Sequence, residues 1–166
     1  MSFEGTDELL KRTLDFINQH LETYLASSGA AGHIVDLSHA GARGLLPTLL
    51  LKTVGRRSGK TIIVPLIYGV YGDEWVVVGS KGGSPEHPAW FLNLVDRPQA
   101  EFQVATQAFR GVWRIAEGEE RASVWSYMEH LFPPYTTYQQ AAGARTIPLV
   151  MLKPAAAVPV FTRPAD

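Results

Sequence analysis

Residues 45–70 read LLPTLLLKTVGRRSGKTIIVPLIYGV, two apolar runs joined by a loop rich in glycine and basic residues. The run 45–54 and the β-branched run 61–70 are each typical of a strand. The turn residues between them predict that the chain reverses direction. This segment therefore predicts a β-hairpin with a basic loop at its tip.

The rest of the chain alternates further strands with helices. Strands are predicted at residues 74–80, 100–105, 109–115 and 147–152, and helices at residues 7–26, 85–95 and 117–131. About six mostly antiparallel strands, interspersed helices and no repeating βαβ unit indicate an α+β domain around a small barrel.

The first predicted helix is amphipathic. Leu10, Leu14, Ile17, Leu21 and Tyr24 recur at spacings of four and three, which places them on one face. The polar face is mixed in sign, whereas a membrane-surface helix is usually more basic, so packing on the core is favoured over membrane contact. Residues 1–44 are expected to form this helix and a connector, and residues 45–166 the cofactor-binding unit of what is a single domain overall.

Composition excludes several classes of function. With 166 residues, a net charge of −1 and no cysteine, the chain suits one globular domain in a reducing cytoplasm. It lacks the basic excess of a dedicated nucleic-acid binder. No apolar run is long enough to span a bilayer, and the polar start MSFEGTDELLKR is unlike a signal peptide. The five histidines show no metal-ligand spacing, so no metal site is expected: His20, His33, His39, His87 and His130.

The end of the loop, Gly-Lys-Thr, resembles a phosphate-binding P-loop only superficially. Gly55 and Gly59 enclose three residues where the Walker pattern needs four. A P-loop also opens into a helix, whereas residues 61–70 predict a strand. Nucleoside triphosphate binding is therefore not expected.

The same loop remains a candidate anion site. Its glycines allow backbone N–H groups to converge, and Arg56, Arg57 and Lys60 add cationic donors. A second glycine-rich element, GSKGG at residues 79–83, follows a predicted strand and precedes a predicted helix. Together the two loops favour an extended ligand that carries several negative charges. The alternative is a pair of unrelated solvated turns.

Three stretches together resemble the deazaflavin-dependent nitroreductase family of actinobacteria: LLLKTVGRRSGKTIIVPLIY, VVVGSKGGSPEHPAWFLNLVDRP and FPPYTTYQQAAGARTIPLVML. The resemblance covers roughly residues 45–155. It implies the split β-barrel of FMN-binding oxidoreductases. It also implies the deazaflavin F420 as cofactor, with hydride transfer to an electron-poor small molecule such as a quinone, an enone or a nitro compound.

The resemblance also implies which residues hold the cofactor. The phosphate and acidic tail are expected at Arg56, Arg57, Ser58 and Lys81, with Lys60 as an addition. The ring is expected near Gly79, Ser80, Pro88, Ala89 and Trp90. Ala89 stands where the family often has methionine, which predicts a roomier ring pocket.

On the substrate side, Ser80 is the first candidate for a hydrogen bond to the substrate. Tyr135 and Tyr138 are second candidates, and Tyr68 is a further residue expected to face the pocket. Each tyrosine is equally consistent with a half-buried core residue. Phe132 replaces the first tyrosine of the family's YPxYxxY segment, which argues against reduction of bulky nitroimidazole drugs.

Three questions stay open at the level of sequence. An FMN-dependent oxidoreductase or a non-catalytic F420 carrier on the same fold would show the same motifs. The chain could act as a monomer or as a homodimer. The first helix could also touch a membrane, where quinones reside, although the rest of the sequence indicates a cytoplasmic protein.

Overall fold

The fold consists of four α-helices and an eight-stranded sheet within residues 4–165, the part that the computed structural model describes, apart from the side chains of residues 4–7, 9 and 10. The helices are α1 (Glu4–Ala26), α2 (Ala89–Val95), α3 (Gly118–Leu131) and α4 (Pro134–Ala141), with 3₁₀ turns at Ser38–Ala40 and Lys81–Gly83. The strands are β1 (Ile34–Asp36), β2 (Leu45–Val54), β3 (Thr61–Ile67), β4 (Gly69–Tyr71), β5 (Glu74–Val78), β6 (Gln99–Val104), β7 (Gln107–Ile115) and β8 (Leu149–Val158).

The strands pair antiparallel in the order β1-β2-β6-β7-β8-β5-β4, and β3 also pairs with β2. The hairpin predicted from residues 45–70 is present, with Val54 opposite Thr61 across the basic loop. Pro65 cannot donate a ladder hydrogen bond, and β3 tolerates it because β3 pairs with β2 alone among the described strands.

A single residue, Tyr68, separates β3 from β4. β3 pairs with β2 near one end of the strand order, and β4 pairs with β5 at the other end. The Tyr68 N–H donates to the Pro47 carbonyl at 3.2 Å, and its hydroxyl lies 2.7 Å from Nε2 of His33. One nearly continuous segment thus links the two ends of the sheet.

The α+β class and the antiparallel pairing are confirmed, whereas the expectation of about six strands is too low. β1 was not predicted, because a three-residue strand has too little pattern to detect. The predicted strand 61–70 is interrupted at Tyr68. The last strand extends to Val158 because β7 supplies a pairing edge along residues 150–158. The helix predicted from residue 7 begins at Glu4, and the one predicted from residue 85 begins at Ala89.

The C-terminal half of α1 attaches the helix to the sheet. Tyr24 is fully buried, and its hydroxyl donates to the Thr48 carbonyl at 2.9 Å. The same oxygen accepts the N–H of Ala105 at 2.8 Å. Nε2 of His20 adds a contact of 2.7 Å with the Gly32 carbonyl oxygen. These bonds join α1 to β2, to the β6–β7 turn and to the segment before β1.

The apolar stripe of α1 packs over only part of its predicted length. Leu21 packs against the cluster that contains Tyr24, whereas Leu14 is 51% exposed and Ile17 is 41% exposed. The prediction that the whole stripe packs on the core is therefore wrong at these two positions. The Leu10 side chain lies outside the described part of the structure. Of the helices described, none is long and apolar enough to cross a membrane.

Replacing Tyr24 with phenylalanine is expected to lower the free energy of unfolding by about 1–3 kcal/mol, because the buried Thr48 carbonyl and the partly buried Ala105 N–H lose their partner. Urea denaturation measures the effect. Tyr71→Phe is the matched control, since Tyr71 is 36% exposed on β4. Equal stability of the two variants would show that the Tyr24 hydroxyl does not stabilise the attachment of α1 to the sheet.

Candidate active site

The basic loop at residues 55–60 is held in place from α2. The side chain of Asn93 is buried, and its Oδ1 accepts the backbone N–H of Arg56 at 3.0 Å and Nη1 of Arg56 at 3.4 Å. Its Nδ2 donates to Oγ1 of Thr53 at 3.3 Å. Within the loop, the Gly59 N–H donates to the Gly55 carbonyl at 2.8 Å. The loop therefore has a defined shape before any ligand binds.

A cavity of about 500 Å³ opens beside this loop. Arg56, Arg57 and Arg97 line it together with a single carboxylate, that of Asp96. Ser58 also lines it, and its hydroxyl oxygen accepts the N–H of Lys60 at 3.2 Å. The excess of guanidinium groups makes this cavity suitable for an anion.

The second glycine-rich loop follows β5. Lys81 has φ +47°, a left-handed conformation that is uncommon for a residue with a side chain. Gly83 has φ +86°, and a Cβ there would lie 2.8 Å from the Tyr138 carbonyl oxygen. Only glycine permits this close approach to α4. Nζ of Lys81 is 3.7 Å from Oε2 of Glu86, and both side chains are largely exposed.

A separate cavity of about 260 Å³ lies where this loop meets α1 and α4. Ser80, Tyr135 and Tyr138 all line it, so the structure brings three of the four predicted substrate-side residues together. Most of the remaining lining is apolar and includes Phe16, Ile17, Leu66, Ile67 and Phe132. His20 and His39 add two imidazoles. The cavity can hold a flat apolar molecule and offers hydrogen bonds at its wall.

Tyr135 keeps its proton throughout the ordinary pH range. Burial, and to a lesser extent the neighbouring Tyr138, raises the pKa of the Tyr135 hydroxyl well above its usual value. The two rings lie 6.3 Å apart, and Phe132 packs edge-on to Tyr135 at 5.0 Å. Tyr135 can therefore donate a hydrogen bond into the cavity at neutral pH.

Several of the other predicted residues line neither of these two cavities. Tyr68 is buried against His33 and is not among the residues that line the cavity with Ser80. Trp90 is buried in the core beside Phe91, Pro88 precedes the first turn of α2, and Ala89 is exposed. Lys60 contacts the 55–60 loop through its backbone and is not part of the lining of the 500 Å³ cavity.

The two glycine-rich loops lie at opposite ends of α2. Loop 79–84 precedes α2 in the chain. Loop 55–60 is bonded to Asn93 near the end of α2 and lines a cavity with Arg97, two residues beyond that helix. Loop 55–60 lines the 500 Å³ cavity and Ser80 lines the 260 Å³ cavity, and neither of these two cavities is lined by both loops.

Two residues of the site escaped the sequence prediction. Asn93 is a polar residue within the apolar run of α2, a signal that could have identified a buried hydrogen-bonding group. Arg145 lies between α4 and β8 and donates to the carbonyls of Gly79 and Ser80. No sequence pattern marks its role, because its partners are more than sixty residues away.

Among the described residues, no group of three or more histidine, aspartate or glutamate side chains could hold a metal ion. The sequence model of the F420H(2)-dependent quinone reductase family matches residues 19–154. The chain belongs to this family. An F420H(2)-dependent quinone reductase of Mycobacterium tuberculosis is 30% identical over 142 residues, which are 84% of this chain and 90% of that protein.

Two solved structures are similar to this quinone reductase family member. One is an F420-H2 dependent reductase with 32% identity and a TM-score of 0.59, matched over 73% of this chain and 98% of its own. The other is described as a domain-swapped dimer, with 30% identity and a TM-score of 0.60, matched over 85% of this chain and 99% of its own.

Asn93→Ala in this quinone reductase family member should lower the free energy of unfolding by about 1–3 kcal/mol, because a buried amide loses its bonds to the loop and to Thr53. It should also speed amide hydrogen exchange across residues 54–60, since the Arg56 N–H loses its acceptor. Asn18→Ala, on the exposed face of α1, is the control. Unchanged exchange in the loop would show that Asn93 does not hold it.

Proposed function

We propose that this protein uses reduced F420 to transfer a hydride to an electron-poor small molecule. A quinone is the first candidate acceptor, and enones and nitro compounds are further candidates. The observation that carries the proposal is the 260 Å³ cavity, where the hydroxyl-bearing residues Ser80, Tyr135 and Tyr138 line a mostly apolar wall beside a glycine-rich loop. The family named for F420H(2)-dependent quinone reduction, whose model spans residues 19–154, supports it.

The donor set fits an anionic cofactor. Arg56, Arg57 and Ser58 line one cavity, and Lys81 extends from the loop at the other end of α2. These residues would hold the phosphate and acidic tail, while Lys60 would add charge and Gly79, Ser80, Pro88, Ala89 and Trp90 would lie nearest the ring. Reduced F420, when bound, supplies the hydride.

The protein's own task is to orient the acceptor and to stabilise the negative charge that develops on it. A quinone becomes a hydroquinone by taking up one hydride, which reduced F420 would supply, and one proton from solvent. Ser80 and Tyr138 can hold the acceptor's carbonyl oxygen by hydrogen bonds, and Tyr135, with its raised pKa, can donate a hydrogen bond as negative charge develops on that oxygen. The apolar lining excludes water from the reacting atoms.

Two alternatives use the same fold. Basic groups occur at both ends of α2, which favours a cofactor with several anionic groups over FMN, whose single phosphate would occupy one loop. A non-catalytic F420 carrier would not need the hydroxyl-lined cavity between α1 and α4. F420-dependent catalysis therefore accounts for more of the site than either alternative.

The topology also supports the split β-barrel. One segment, β3 and β4, links the two ends of the strand order, as expected if the sheet curls around a core. We propose this barrel, with residues 45–166 as the cofactor-binding unit. Homodimerisation, supported by the domain-swapped relative, and peripheral membrane contact by α1 remain predictions.

Ser80→Ala is expected to lower kcat for menadione reduction by about tenfold or more while changing the Kd for F420 far less, because one polar contact to the substrate is lost. Turnover is followed by recovery of the absorbance of oxidised F420. The matched control is Ser126→Ala on the exposed face of α3. Equal losses in kcat and in affinity would assign Ser80 to the cofactor. Tight F420 binding without turnover of any quinone or enone would favour the carrier.

Arg56→Ala and Lys81→Ala should each weaken F420 binding by about tenfold or more at low salt, because each removes a charge-assisted contact. The difference from wild type should shrink as salt rises. Glu86→Gln should tighten binding, since it frees Lys81 from its ion pair. Lys153→Ala, which removes an exposed ion pair with Asp73, is the control. Normal affinity of both cation variants at low salt would overturn the anion-site assignment.

A further inference from the structure

The side chain of Arg145 hydrogen-bonds to the backbone of residues 79–84, the loop that carries Ser80. Its Nη1 donates to the Gly79 carbonyl at 2.9 Å, and its Nη2 donates to the Ser80 carbonyl at 2.7 Å. The Ser84 carbonyl accepts from Nε at 2.9 Å and from Nη2 at 2.7 Å. One guanidinium group therefore binds two carbonyls at the start of this loop and one at its end.

The backbone of Arg145 is fixed from α4, the helix that carries the cavity tyrosines. Nε2 of Gln139 donates to the Arg145 carbonyl at 2.8 Å, and Oε1 of Gln139 accepts the N–H of Ile147 at 3.0 Å. Arg145 is thus bonded to α4 on its backbone side and to the Ser80 loop on its side-chain side. No other residue described here donates side-chain hydrogen bonds to several carbonyls of loop 79–84.

We propose that Arg145 is a positioning residue that fixes Ser80 relative to Tyr135 and Tyr138 across the substrate cavity. The inference rests on the proposed function, because it gives these three residues a common substrate. The planar guanidinium can serve three convergent carbonyls at once, whereas a lysine ammonium is a compact charge without this fork. Without Arg145 the carbonyls would face one another, and the left-handed backbone at Lys81 would lose its support.

His87 is the remaining side-chain partner of the Arg145 guanidinium group. Its Nδ1 lies 3.2 Å from Nη1 of Arg145. Because arginine only donates, Nδ1 must be the unprotonated nitrogen. Burial first, and the Arg145 charge second, lower the pKa of His87. The ring of Phe91 from α2 lies 4.8 Å from the His87 ring, and Glu86, the residue before His87, forms an exposed ion pair with Lys81.

The sign of the pH effect follows from this geometry. Protonation of His87 turns its acceptor into a donor and places a second positive charge beside Arg145. The contact is therefore intact above the lowered pKa of His87 and is lost as the pH falls through it. An acid limb in turnover is the expected signature, located below the ordinary pKa of histidine.

The first experiment measures amide hydrogen exchange in residues 79–84 of the cofactor-free protein. Arg145→Met and Arg145→Lys should both exchange faster in this segment than wild type. Arg114→Met is the matched control, because Arg114 makes a comparable number of hydrogen bonds to Glu74 and Glu120 outside the site. Unchanged exchange in both Arg145 variants would overturn the proposal, whether or not F420 is turned over.

The second experiment measures menadione reduction. Arg145→Met should lower kcat/KM by about 100-fold, because a misplacement of about 1 Å at the reacting groups is enough for such a loss. Arg145→Lys should restore charge but not the full rate. Full activity of Arg145→Lys, or a loss no greater than that of Arg114→Met, would contradict a positioning role.

The third experiment isolates His87. In His87→Asn the amide oxygen can accept the Arg145 bond but does not titrate, so the acid limb of the pH–rate profile should disappear while the neutral-pH rate is kept. Persistence of the acid limb would contradict the proposed contact. If wild type shows no F420-dependent turnover at all while exchange behaves as expected, the proposed function fails and the loop assignment of Arg145 stands.

Discussion

β3 hydrogen-bonds to β2 near one end of the sheet and β4 to β5 at the other, although Tyr68 alone separates them. This constraint determines where both glycine-rich loops lie. β3 begins immediately after the basic loop, and β5 ends at the loop that carries Ser80. Because β3 and β4 form one nearly continuous segment, the basic loop lies at the β2 end of that segment and the Ser80 loop follows the strand paired with its other end.

Charged side chains and uncharged polar side chains occupy different parts of the candidate site. Arginine and lysine side chains lie near the two ends of α2. Ser80, Tyr135 and Tyr138, which carry hydroxyls, line the mostly apolar cavity between α1, α4 and the sheet. In this low-dielectric setting a hydrogen bond to a developing oxyanion is stronger than in water, whereas an unpaired charge would be costly.

The local elements could be predicted from sequence where their pattern was long. The β2–β3 hairpin, the β6–β7 hairpin and α3 all occur within a few residues of the predicted bounds. β1 was missed because it is only three residues long, and the second half of β8 because residues 154–158, PAAAV, have weak strand character. Both form because a neighbouring strand offers backbone partners, β2 for residues 34–36 and β7 for residues 150–158. The α1 stripe shows the reverse case. Its apolar spacing predicts that Leu14 and Ile17 pack on the core, but both side chains are exposed.

The sequence by itself determined the α+β class, the basic loop at residues 55–60, the GSKGG loop and the resemblance to F420-dependent reductases. These features depend on local residue order, because turn residues and strand-forming residues act through their immediate neighbours in the chain. Only the tertiary structure decided that Ser80 meets Tyr135 and Tyr138, that Tyr68 turns away to His33, and that Asn93 and Arg145 hold the two loops. These contacts join residues distant in sequence, and hydrogen-bond geometry is satisfied only when the sheet and helices have brought the partners together.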